Sequence, residues 1–366
     1  MMIDNALTGE CMDPQGEQET EDNQQDTIMQ HEEFQHLDPD CLEMPASATF
    51  ERAFRPIEVR PMQQLCNDAR KLDFFQRKVL EVGIKHARGL VKARGGKNPL
   101  PSAPLFMVDG AAGAGKSCTI NILQEMLQLI MQQTGDDPEC PYTLLCAPTG
   151  TAAVNIKGQT LHSAFGFSFG NEHYSLSDKT RDTKRATFKN LRFLIIDEVS
   201  MVKADQLYQL DLRLRELTMK TNKLFGGVAL FFFGDIMQLK PVLGRYIWSQ
   251  PRSNEYLQAF LVQSHWELFS VISLVENHRQ HAYADTLNRI RVGEQTEQDM
   301  STLQERVRPE GHPDLKGALV IASKHDVVNH HNERCLEEVN SQQMTIEAIN
   351  SHANLPGFVP KIDKKK

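Results

Sequence analysis

Seven cysteines are scattered through the 366 residues, an odd number with no C-x-x-C pair, which argues against both a disulfide framework and a zinc site. No uninterrupted apolar stretch approaches the length of a membrane span. Lys and Arg are missing from the first 51 residues, which hold 14 Asp or Glu. That segment therefore has neither the positive start of a secretory signal nor the arginines of a mitochondrial transit peptide. A reduced interior, cytoplasm or nucleus, is the expected setting. Apolar residues are also sparse there, among acidic and Gln-rich runs such as Glu17 to Asp26. Too little surface can be buried to offset the entropy of ordering, so residues 1–51 are expected to be disordered.

What is present points to a globular body. Apolar residues make up 40% of the chain and charged residues 24%, and the length allows two domains. The formal net charge of -8 conceals an asymmetry: from Arg52 onward there are 40 basic against 34 acidic residues. A mildly basic body suits a polyanionic partner without requiring one.

Apolar spacing over Leu72 to Leu90 predicts a helix. Leu105 to Val108 reads as a short strand that runs into the glycine-rich Gly110 to Gly115. A helix carrying Ile120, Leu123, Met126 and Leu127 follows. Thr143 to Ala147, Phe193 to Ile196 and Val228 to Phe233 read as further strands, and Thr149 to Val154 opens another helix. Alternation of this kind predicts an α/β fold with a parallel sheet, helices on both faces and ligands at the carboxyl ends of the strands. The polar stretch 165–190 is too weakly patterned for a core element and reads as an insertion.

Gly110-Ala111-Ala112-Gly113-Ala114-Gly115-Lys116-Ser117 matches the phosphate-loop pattern G-x-x-x-x-G-K-[ST] in full, with Cys118 behind it. The glycines let successive backbone N–H groups point at phosphate oxygens, and the following helix aims its positive end at the anion. Lys116 would reach the β- and γ-phosphates and the Ser117 hydroxyl would hold Mg²⁺. Asp197-Glu198 closes the Phe193–Ile196 strand. Alone, such a pair is more often a helix cap. Downstream of a phosphate loop it reads as a Mg²⁺-binding carboxylate beside the base for the attacking water. Gly234-Asp235 with Gln238 supplies a third strand end, where Gln238 could sense a terminal phosphate. Together these make an NTPase.

Five linked segments carry a resemblance. Asp109 to Ser117, Ala147 to Ala153, Thr160 to Ser163, Ile195 to Met201 and Gly234 to Leu239 stand in helicase order. The set resembles the Pif-type branch of the Pif/RecD superfamily 1 DNA helicases, and Asn277-His278-Arg279-Gln280 is similar to that family's N-x-R-Q segment. The resemblance covers about Leu72 to Asn332, and Leu319 to Asn332 resembles the strand and helix that follow. It implies a RecA-like motor domain and part of a second one. It also implies ATP-driven 5′ to 3′ movement on single-stranded DNA, unwinding at DNA junctions, and roles in repair, recombination and telomere maintenance, with the nucleus as the implied location. Gln76 is placed like the family's adenine-reading glutamine, Thr149, His162 and Ser163 like its DNA-backbone contacts, and Arg279 like an arginine that reaches the γ-phosphate from the second motor domain. Lys240 departs from the family by replacing the first of two prolines.

The expected organisation is a segment 1–51, a first RecA-like domain over 52–275 and a partial second domain over 276–366. After Asn332 no S-Q-G-type or A-L-S-R-type segment is found, so the chain is expected to lack the second domain's other arginine. Two alternatives stay open on sequence alone: an ATP- and DNA-binding protein that no longer unwinds, and a motor subunit of the RecD kind. The rings of Phe231-Phe232-Phe233 read as buried strand rather than as a base-stacking platform, because stacking needs exposed rings.

Overall fold

The computed structural model describes residues 57–137, 140–167, 175–242, 244–249, 265–279, 283–309, 312–315 and 317–338. The acidic segment 1–51, Gln280 and the tail after residue 338 lie outside the described residues. Contacts divide the chain into two units at Thr296 and Glu297.

The first unit is built on a parallel sheet of six strands: β1 (Leu105–Gly110), β2 (Thr143–Ala147), β3 (Gln159–Thr160), β4 (Phe193–Ile196), β5 (Ala229–Gly234) and β6 (Ser270–Leu274). Their spatial order is β3-β2-β4-β5-β1-β6, and every neighbouring pair is parallel. The α-helices among this unit's described residues are α1 (Met62–Lys71), α2 (Phe74–Ala93), α3 (Lys116–Met131), α4 (Gly150–Asn155), α5 (Leu161–Phe165), α6 (Asp178–Thr187), α7 (Ala204–Thr218) and α8 (Ala284–Val292).

Pleating sends alternate side chains to opposite faces and so sorts the apolar runs into two cores. Val108, Leu145, Phe193, Ile195, Phe231 and Phe233 pack with Val79 of α2 and with Ile120, Leu123 and Leu127 of α3. Met107, Leu144, Leu194, Ile196, Leu230 and Phe232 pack with Leu207, Leu210 and Leu214 of α7. Burial on both faces is why β4 and β5 are continuous apolar runs rather than alternating ones. An outer layer forms where Leu65 and Ala69 of α1 meet Leu80, Ile84, Ile122 and Met126. Within α2, His86 is buried edge-on to Phe193 at 5.6 Å between ring centroids. Burial pushes its imidazole down to about 4, and its Nε2 has no hydrogen-bond partner.

The helix expected over Leu72 to Leu90 is α2, and a separate helix, α1, precedes it. Asp73 accepts from the Gln76 backbone N–H at 2.8 Å, while Gln76 Oε1 accepts from the Asp73 N–H at 3.0 Å. This reciprocal capping box starts α2 and separates it from α1. The stretch 165–190 carries α6, none of whose residues is buried. Its Lys184 donates to the Ser163 and Ala164 carbonyls near the end of α5. Residues 277–279 pack on the phosphate loop, and α8 is tied to the ends of β1 and β5.

The second unit holds α9 (Glu297–Gln304) and α10 (His325–Glu338). The strand expected from Leu319 is absent: Leu319 and Ile321 are irregular and exposed. A strand needs a neighbour for its backbone groups, and no strand is found among this unit's described residues. Among the described residues no helix is long and apolar enough to cross a membrane.

Candidate nucleotide and nucleic-acid site

The phosphate loop joins β1 to α3. Its shape is enforced from outside as well as by composition. Gly113 and Gly115 have φ of +90° and +75°, in the left-handed region that favours glycine. A Cβ at Gly115 would lie 2.3 Å from Gln76 Nε2, and one at Gly113 would lie 2.7 Å from Asn277 Oδ1. Gln76 is buried and donates from Nε2 to the Ala114 carbonyl at 3.0 Å. One N–H and one lone pair of its amide remain beyond the loop and the helix cap. Lys116 Nζ donates to the carbonyls of Gly110 at 2.7 Å and Ala111 at 3.1 Å, which holds the ammonium across the loop. Ser117 and Cys118 are exposed at the first turn of α3.

Asp197 and Glu198 follow β4. Asp197 is buried, and burial raises its carboxyl to about 6, against the opposing pull of the Glu198 N–H and the Lys116 charge. Its Oδ1 accepts from the Glu198 N–H at 2.9 Å. Glu198 stands in the left-handed region at φ 54°, an uncommon conformation for a residue with a side chain. The Ser117 hydroxyl and the Asp197 carboxylate are hard oxygen donors of the kind Mg²⁺ takes. A divalent cation would also favour the ionised form of this buried acid.

The end of β5 supplies Asp235, which is 2% exposed. Arg291 of α8 donates from Nε to both of its oxygens and reaches Asp109 of β1 with a terminal nitrogen. The Ile236 N–H also reaches Asp109 Oδ1, at 3.3 Å. Gln238, whose N–H donates to the Asp235 carbonyl, is exposed beyond this turn. Sequence reading assigned no role to Arg291. Its one local signal, a basic residue in the last turn of a helix, is common on ordinary helices.

The segment Asn277 to Arg279 lies on the phosphate loop from the other side. Asn277 Nδ2 donates to the Ala112 carbonyl at 3.0 Å, and the His278 N–H donates to the Gly113 carbonyl at 2.9 Å. His278 also pairs with Asp73 at 3.0 Å, and the Arg279 N–H is fixed by Asn277 Oδ1. Arg279 is thus brought to the loop within the first unit rather than from the second.

Thr149, His162 and Ser163 lie further along the same carboxyl edge of the sheet, after β2 and β3. Thr149 caps α4 by accepting from the Ala152 N–H, and Thr160 caps α5 by accepting from the Ser163 N–H. Burial, with help from Lys203, holds His162 below the ordinary histidine range, so it is neutral at pH 7 and still a donor. The sheet order separates these residues from the nucleotide group, which gathers around β4, β5 and β1.

A family model described as PIF1-like helicase matches residues 99–302. The chain is 29% identical over 252 residues to an ATP-dependent DNA helicase PIF1 of Emericella nidulans, covering 66% of this chain and 32% of that protein. It is 30% identical over 253 residues to the ATP-dependent DNA helicase PIF1 of Homo sapiens, covering 67% and 36%. The crystal structure of a Pif1 helicase from Candida albicans is similar with a TM-score of 0.54 at 26% identity, over 74% of this chain and 55% of that one. The chain therefore spans about a third of the length of these two curated relatives.

Proposed function

The chain belongs to the PIF1-like helicase family, and we propose that it binds and hydrolyses ATP to drive 5′ to 3′ movement on single-stranded DNA, unwinding duplex at junctions. The observation that carries this reading is the convergence on one phosphate loop of Lys116, the Asp197–Glu198 pair and the Asn277–Arg279 segment.

In this mechanism the loop N–H groups and Lys116 hold the β- and γ-phosphates, and the spare bonding directions of Gln76 read the adenine edge. Ser117 and Asp197 would hold Mg²⁺, which neutralises charge on the phosphates. Glu198 takes a proton from the attacking water. Arg279 places its planar charge against the equatorial oxygens of the transferring group, and Gln238 registers whether the γ-phosphate is present. Thr149, His162 and Ser163 donate to the phosphodiester backbone, which gives grip without base preference. The nuclear setting and the roles in repair, recombination and telomere maintenance belong to the same reading.

ATP hydrolysis by the purified chain, measured with and without single-stranded DNA, tests the proposal. Stimulation by DNA that vanishes in Lys116→Ala supports it, and DNA-independent or absent turnover sinks it.

A further inference from the structure

A line of rings runs from the core to the surface beside Gln238. Phe232 of β5 stacks on Phe269 at 4.8 Å between centroids, and Phe269 stacks on Trp266 at 5.8 Å. Trp266 lies 6.4 Å from Trp248, which stacks on Tyr246 at 4.5 Å with the planes 10° apart. Tyr246 and Trp248 flank Ile247, which is 1% exposed and anchored in the core, whereas the two rings are each 39% exposed. Such an arrangement holds both rings rigidly at the surface.

We propose that the outer ring, Tyr246, is a stacking site for a base of single-stranded DNA, an extension of the DNA path that rests on the function proposed above. Three observations support that occupant. With Met237, Gln238, Leu239 and Lys240, Tyr246 lines a shallow cavity of about 580 Å³ that is largely open to solvent. Cations are at hand: exposed Lys240 lines the cavity, and Lys203 pairs in a backbone bridge with Tyr246. None of the five lining residues is acidic. Lys203 is also near enough to His162, one of the proposed backbone contacts, for its charge to act there. A flat aromatic face with cations beside it is the arrangement that binds single strands without regard to sequence.

Because Gln238 lines the same cavity, a base seated on Tyr246 presses on the turn that registers the γ-phosphate. DNA occupancy and nucleotide state then share one loop.

The chain has only two tryptophans, Trp248 and Trp266, so intrinsic fluorescence reports on this line of rings alone. The experiment titrates the full chain with oligo(dT) and with an abasic backbone of equal length. Quenching and tighter binding are expected with oligo(dT) and not with the abasic strand. Tyr246→Ala should weaken oligo(dT) binding about 5- to 100-fold, leave abasic binding unchanged and remove the difference between the strands. Tyr246→Phe keeps the ring and should bind like the unsubstituted chain. Equal binding of both strands by the unsubstituted chain, or oligo(dT) binding by Tyr246→Ala at full strength, overturns the stacking site while leaving DNA binding intact. Loss of binding to both strands in Tyr246→Ala and Tyr246→Phe alike also overturns it. Failure of the unsubstituted chain to bind either strand overturns the DNA reading as well.

Discussion

Arg291 grips Asp235 at 2.6 to 2.9 Å through two of its nitrogens and touches Asp109 with one of them at 3.4 Å. One guanidinium thus ties α8 to the ends of two neighbouring strands, β5 and β1, on either side of the nucleotide loop. Asp235 is 2% exposed, so removing its partner leaves a buried carboxylate unpaired. Breaking such a pair costs about 3–5 kcal/mol, and the partial exposure of Arg291 favours the lower figure. Arg291→Ala should lower the unfolding free energy measured in urea by that much, and the midpoint with it. Arg291→Lys restores charge without the fork and should recover only part. Adding Asp235→Asn to Arg291→Ala should also recover part. An unchanged midpoint in Arg291→Ala would show that the pair contributes nothing.

Binding and turnover should separate at the phosphate loop. Lys116 spans the loop, and Glu198 donates its N–H to the Asp197 carboxylate. Lys116→Ala should abolish binding of a fluorescent ATP analogue. Glu198→Gln should bind it normally and slow hydrolysis by about 10²- to 10⁴-fold, the usual contribution of a general base. Hydrolysis at the unsubstituted rate in Glu198→Gln removes that residue from the role of base.

Stability should fall in mild acid because of His86. Its pKa is about 4 in the fold against 6.5 for the ordinary group. The unfolded chain therefore binds the extra proton first as the pH drops. Stability from the neutral ring is complete above 6.5 and is lost as the pH falls through the interval down to about 4. The full difference amounts to at most about 3 kcal/mol. His86→Leu should flatten the slope of melting temperature against pH in that window. An unchanged slope would place the titration elsewhere.

DNA binding should weaken steeply with salt. If the basic body engages roughly five phosphates, the log–log slope on single strands is about -3 to -4. Counter-ion release is indifferent to sequence, so oligonucleotides of different composition should share that slope. A flat response, or strong preference for one sequence, contradicts a backbone track.

The residues that were legible in the sequence are those whose role depends on near neighbours. The phosphate loop is written in eight consecutive residues, and β1, β2, β4 and β5 are apolar runs ended by glycine or acid, or in β2 by Pro148, so both could be read directly. The edge strand β6 could not, because Ser270, Val271 and Ser273 face outward and leave no apolar run. Nor could α1, since Met62–Lys71 buries only Leu65, Cys66 and Ala69, too few apolar positions to stand out as a periodic run. Arg291 was illegible for a further reason: its partner Asp235 stands 56 residues away, and no local pattern encodes a long-range ion pair. The exposed rings beside Gln238 were not legible either, because aromatic residues alone do not show whether they are buried, like Phe231 to Phe233, or exposed, like Tyr246 and Trp248.

The amide of Gln76 serves α2 with one end and the phosphate loop with the other. Any ligand that reshapes the loop must therefore be felt at the first turn of α2, whose Gln76 N–H is held by Asp73. Slow deuterium uptake at that amide becomes a built-in gauge of loop occupancy, readable by mass spectrometry on a peptide covering Asp73 to Leu80. Uptake there should slow on nucleotide binding in the unsubstituted chain and stay unchanged in Gln76→Ala, where the linkage is cut.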